Sequence, residues 1–122
     1  MSEAPAVHRE IDVPLPAADV WPLVADGDGW AEWMVEEADL AVEPGSAGTV
    51  VDGGQRRDVR VDQVVPGERV TWTWWPTERP GDASRVELVV VPAPGRTVVR
   101  ITETRAFARA LVASARAFAL AA

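Results

Sequence analysis

Residues 58–75 read DVRVDQVVPGERVTWTWW. Apolar and polar residues alternate on both sides of Pro66-Gly67, the signature of two half-buried strands joined by a turn. On the second run Val70, Trp72 and Trp74 share one face, and Thr71, Thr73 and Trp75 share the other. The same texture continues outward. Ala38–Glu43, Gly48–Asp52, Arg85–Val91 and Thr97–Thr104 are further strand-like runs, separated by Pro44-Gly45, Gly53-Gly54, the loop from Pro76 to Asp82, and Pro92 to Gly95. Short strands with tight turns predict an antiparallel meander.

Upstream, Ala6–Val13 alternates as a further strand, which Pro14 and Pro16 end. Ala17–Ala25 predicts a short helix with Val20, Trp21 and Val24 on one face and Trp21 in the core. Pro22 requires that this helix either start late, near Asp19, or bend. Gly27 and Gly29 are expected to break the chain. Gly29–Met34 then predicts a second short helix, with Trp30, Trp33 and Met34 at i, i+3 and i+4. Residues 105–122 contain no Gly or Pro and are rich in Ala, which predicts a long helix. Its Arg105, Arg109 and Arg116 lie opposite Phe107, Leu111, Ser114 and Phe118. A one-sided sheet must cover its apolar face, and this helix is the element long enough to do so. The expected architecture is α+β: a curved antiparallel sheet of about seven strands around a C-terminal helix, in one domain spanning residues 1–122, with residues 1–5 as a short arm.

Composition narrows the chemistry. The chain has 122 residues and a formal net charge of -7, with no Cys, one His and 6 Trp against 2 Phe. All 12 basic residues are Arg. No thiolate nucleophile, disulfide, Schiff-base lysine or P-loop lysine is available. The acidic balance argues against a phosphate-binding nucleic-acid partner. The N-terminus lacks a basic and apolar leader, and no run is long enough to span a bilayer, so a cytoplasmic location without membrane insertion is expected. A GC-rich genome accounts for the absent Lys, Asn and Tyr, but not for the Trp excess.

Five segments carry a family likeness: HREIDVPLPAADVW (8–21), DGWAEWM (28–34), VEPGSAGTV (42–50), DVRVDQVVPGERVTWTW (58–74) and VVRITETRAF (98–107). In order and spacing the chain resembles the START-like helix-grip superfamily, also called SRPBCC and Bet v-like. Within it, the chain is similar to the branch named for the activator of Hsp-90 ATPase. The resemblance implies a hydrophobic cavity beneath the C-terminal helix. It leaves the activity open, because the fold hosts lipid transfer, hormone binding, polyketide cyclisation and co-chaperone roles.

Strand parity and helical spacing converge on one interior. Trp30, Trp33, Met34, Trp72, Trp74, Val86, Leu88, Val90, Val99, Ile101, Phe107 and Leu111 are expected to line it, either as plain core or as the wall of a ligand cavity. Glu103 points into the same interior. It either orients a ligand or moves a proton as a catalytic group, or it pairs with Arg105 or Arg109 or caps the helix. His8, in phase with Glu10 and Asp12, is expected to face outward, and a lone His lacks the partners of a triad or metal site. Glu32, Glu36, Glu37, Asp39 and Glu43 lack the spacing of a calcium loop and read as a solvated acidic face. Arg60 and Arg100, with Asp58, Asp62 and Glu87, read as cross-strand charge pairs on the outer face. The resulting expectation is a protein that binds a small hydrophobic molecule, a lipid or aromatic metabolite, without a cofactor or a metal. The alternatives are a cyclase- or hydrolase-like enzyme using Glu103, and a stress- or chaperone-associated interaction module. A free edge strand permits a homodimer or another protein partner.

Overall fold

The computed structural model describes residues 6–105. The expected C-terminal helix, with Phe107, Leu111 and Arg109, lies outside the described residues, as does the arm at residues 1–5.

Seven antiparallel strands form one curved sheet in the order β1-β7-β6-β5-β4-β3-β2. The strands are β1 (Ala6–Val13), β2 (Glu37–Asp39), β3 (Ala47–Asp52), β4 (Gln55–Val65), β5 (Arg69–Pro76), β6 (Ser84–Ala93) and β7 (Arg96–Thr104). Two helices, α1 (Ala17–Val24) and α2 (Gly27–Trp33), separate β1 from β2, and a single 3-10 turn at Pro80–Asp82 interrupts the loop between β5 and β6. β2 to β7 form the expected meander, and β1 pairs along its whole length with β7.

Turn chemistry sets the register. Val65 accepts from the Glu68 amide at 2.9 Å across Pro66-Gly67, and Gly67 has φ of 78°. Proline second and a positive-φ glycine third make a type II turn. It fixes Val65 opposite Arg69 and thereby aligns Val64 with Val70 and Val61 with Trp72. Between Val61 and Gln63 the pairing shifts by one residue, so Asp62 is an extra residue in β4. Such a bulge bends its strand and sharpens the twist. Thr73 on β5 donates to Asp62 Oδ2 at 2.8 Å, and Arg60 Nε donates to Oδ1 at 3.3 Å, which ties the bulge down.

Three local expectations meet the structure. First, α1 begins at Ala17, as its expected bounds have it, and runs through Pro22, so the alternative of a late start near Asp19 is not taken. Pro16 stands just before the helix, and its carbonyl accepts from the Asp19 and Val20 amides at 2.9 and 3.1 Å. Second, Gly27 and Gly29 do not break the chain; they lie in the first turn of α2, capped by Asp26, whose Oδ1 accepts from the Asp28 amide at 2.9 Å. They are required by close approach. A Cβ on Gly29 would stand 2.6 Å from the Pro22 carbonyl oxygen and 2.7 Å from Leu23 Cα, and one on Gly27 would strike the Leu40 carbonyl. Third, the run Ala38–Glu43 yields only the three-residue β2, because the chain turns locally beyond Asp39, with Glu43 donating to the Ala41 carbonyl and Ser46 to that of Glu43.

The core lies between the concave face of the sheet and the two helices. Val20 and Val24 of α1 and Trp30 of α2 meet Val50, Val59, Val61, Val70, Trp72, Leu88 and Val99 of the sheet. Trp21 is half-buried against this core rather than within it. On the convex face, Arg100 pairs with Glu10 at 3.2 Å, and Arg96 with Asp12 at 3.4 Å. The Arg100 pair is cross-strand, though with Glu10 instead of the expected acidic residues, and Arg60 pairs with Asp62 of its own strand.

Candidate functional site

Antiparallel pairing places whole rows of side chains on the concave face. One row runs Val61, Trp72, Val86, Glu103, Val7 across five strands. The next runs Val70, Leu88, Ile101, Arg9, and on the other side Val59, Trp74, Ser84. Trp72, Leu88, Val86, Val99, Val90 and Trp74 are buried, while Trp33, Met34, Ile101 and Glu103 are half-buried at the edge of the core.

The two tryptophan groups meet. Trp30 from α2 packs on Trp72 with ring centroids 4.5 Å apart, and Trp72 meets Trp74 edge-on at 5.8 Å. Trp30 Nε1 donates to the Val24 carbonyl at 2.8 Å, and Trp33 Nε1 donates to that of Leu23 at 2.9 Å. The indoles of α2 thus cap the carbonyls at the end of α1, which have no acceptor role inside the helix.

Two recesses flank this packed pair. One, of about 170 Å³, is wholly apolar and is lined by Ile11, Val13, Val20, Leu23, Trp33 and Val99. The other, of about 140 Å³, is mixed: Val7, Met34, Trp72, Trp74, Val86 and Ile101 form its apolar wall, and Arg9, Asp52 and Glu103 contribute charge. Of the residues expected to line the interior, Trp33 and Val99 therefore border the apolar recess. Met34, Trp72, Trp74, Val86, Ile101 and Glu103 border the mixed cleft. Trp30, Leu88 and Val90 border neither recess and are filled core.

Glu103 Oε2 accepts from Trp74 Nε1 at 2.8 Å and from Ser84 Oγ at 2.7 Å, and it forms no ion pair with Arg105; Arg109 and the expected helix lie outside the described residues. Ser84 is fully buried. Both donors sit on the strands that neighbour each other beside β7, so the carboxylate is fixed by the sheet register itself. Beyond Trp74 lies Arg57 of β4, with Cζ 4.9 Å from the indole centroid and Nε 3.8 Å from Asp52 Oδ2.

Arg9, Ser84, Asp52 and Arg57 were not singled out by composition or motif. Parity would have found three of them: Arg9 is in phase with Val7 and Ile11, Ser84 with Val86 and Leu88, and Arg57 with Val59 and Val61. Asp52 enters through the tight hairpin that pairs it with Gln55. Elsewhere, His8 is exposed and stands 3.2 Å from the Thr102 hydroxyl on the outer face. Glu32, Glu36, Glu37, Asp39 and Glu43 are all exposed, and Glu36 accepts from the Gly54 amide at 2.7 Å. Among the described residues no helix is long and apolar enough to cross a membrane.

Solved structures share this architecture. DynU16, from the dynemicin biosynthetic locus, superposes with a TM-score of 0.73 at 24% identity over 82% of the chain, which spans only 37% of the length of DynU16. CalU16 from Micromonospora echinospora gives 0.67 at 19% identity, covering 97% of this chain and 71% of its own. The Aha1 dimer from Colwellia psychrerythraea gives 0.69 at 17% identity, covering 82% and 75%. At these identities the likeness is one of fold alone. No curated protein matches the chain. Residues 4–122 match the sequence pattern of the family described as polyketide cyclase / dehydrase and lipid transport, and the chain belongs to that family.

Proposed function

We propose that the chain binds a small hydrophobic molecule in the mixed cleft on the concave face, and holds it without transforming it. The observation that carries this reading is the cleft itself: an apolar wall of Trp72, Trp74, Met34, Val86 and Ile101 around one fixed carboxylate, Glu103. Binding sites combine apolar walls with a few placed polar groups in this way. The family description, which joins cyclases with lipid transport, supports a hydrophobic ligand. A cytoplasmic location fits the same reading. A homodimer fits the outer edges of β1 and β2, which pair with no further strand among the described residues, and the Colwellia protein of the same fold is a dimer.

Tryptophan fluorescence tests the reading, since Trp72 and Trp74 border the cleft. Small lipids and aromatic compounds should quench or blue-shift the emission, and Ile101→Phe, which fills the cleft, should abolish the response. Silence across a broad panel would overturn it. The cyclase and dehydrase members favour a second reading, in which Glu103 acts on the bound molecule as acid or base. Turnover that disappears in Glu103→Gln while binding persists would establish it.

A further inference from the structure

The cleft carries a preference about its ligand, and this step rests on the binding reading above. Its volume of about 140 Å³ is close to that of a cavity of about 150 Å³ that holds one benzene ring. Its walls include the indoles of Trp72 and Trp74, Met34 and branched aliphatics, which suit a flat ring. The polar end is asymmetric. Glu103 Oε2 is occupied by two donors, Trp74 Nε1 and Ser84 Oγ, whereas Oε1 has no hydrogen-bond partner among the described residues. An ionised carboxylate oxygen without a partner, on a residue that borders the cleft, is an acceptor only. It rewards a ligand donor and repels a ligand anion. Arg9 reaches the same cleft from β1, but it is exposed, and an exposed charge is weakened by solvent. Arg57 is drawn to Asp52 and the Trp74 ring and does not border the cleft. The half-buried, doubly anchored carboxylate therefore outweighs the surface guanidinium.

We propose that this cleft selects a single-ring aromatic ligand that bears a hydrogen-bond donor and no negative charge, with the donor directed at Glu103 Oε1. The geometry also predicts what a conservative change does. Trp Nε1 can only donate. In Glu103→Gln the amide oxygen must therefore face Trp74, and the NH2 group takes the place of Oε1. The variant presents a donor where the parent presents an acceptor.

Isothermal titration of the full chain with four probes of similar size tests this: toluene, 4-methylphenol, benzoate and acetophenone. The parent should bind 4-methylphenol about tenfold or more tighter than toluene, as expected for a hydrogen bond to a charged group, and benzoate weakest. In Glu103→Gln the advantage of 4-methylphenol over toluene should shrink, and acetophenone should gain relative to both. Equal affinity for toluene and 4-methylphenol overturns the donor preference and leaves the binding reading standing. So does tighter binding of benzoate, which would make Arg9 the selecting group. Failure of every probe to bind overturns both. The parent's ranking decides the question without the variant, should Glu103→Gln fold poorly.

Discussion

At the scale of single residues, the tryptophans do more than fill space. Genome composition does not explain their number, and their positions do: three of the six donate hydrogen bonds that tie one element to another. Trp30 and Trp33 cap α1, and Trp74 holds Glu103. Trp30→Phe would keep a ring against Trp72 while removing the donor to the Val24 carbonyl, at a site that is fully buried. The cost should be about 1–3 kcal/mol, that of a buried group left unsatisfied. Urea denaturation should show a lower midpoint with an unchanged slope, and an unchanged midpoint would mean that the carbonyl finds another donor. These roles were only half legible in the sequence. That Trp72, Trp74 and Glu103 face inward follows from alternation alone. That Trp74 and Ser84 hold Glu103 does not, because the partners lie 29 and 19 residues away and meet only through the register of three strands.

At the scale of elements, legibility followed the strength of local periodicity. All seven strands lie where alternation and turn residues predict them, with β2 cut short. The Pro-Gly and Gly-Gly pairs mark the turns because the φ angles there are ones only glycine adopts freely. The same residue misleads in α2. By propensity Gly27 and Gly29 break a helix, yet here they open one, because α2 passes the end of α1 at Gly29 and the Leu40 carbonyl at Gly27 too closely for a side chain. That reason belongs to the neighbouring element and has no local trace. Gly29→Ala should therefore destabilise the protein even though alanine is the better helix former. The added Cβ meets backbone atoms of Pro22 and Leu23, which cannot rotate aside. A loss of about 1–3 kcal/mol is expected for such overpacking. Thermal unfolding should show a lower Tm; an unchanged or higher Tm would mean that α1 and α2 can move apart at no cost, and that the close approach is not required.

At the scale of the whole molecule, the sheet combines two kinds of pairing. From β3 to β7 each strand pairs with the next through a turn or short loop, whereas β1 reaches β7, its one partner among the described residues, across nearly the whole described chain, with Ile11 opposite Val99. Closing that long loop costs entropy that no contact offsets until β7 is in place. The meander should therefore form first, with the Pro66-Gly67 turn and the Val70, Trp72, Trp74 face as its centre, and β1 should dock late. Chevron analysis of two variants separates the orders of events. Val70→Ala, in the hairpin, should cost about 2 kcal/mol and slow folding about tenfold. Ile11→Val, on β1, should cost about 1 kcal/mol and leave the folding rate nearly unchanged, while unfolding accelerates about fivefold. The opposite pattern would show that the ends of the sheet meet before its middle forms. The order also bears on binding. Val7 and Arg9 of β1 form one wall of the mixed cleft. A strand that docks last in folding is also among the first to open. If β1 is that strand, ligand that spans the cleft should slow the unfolding of Ile11→Val more than that of Val70→Ala.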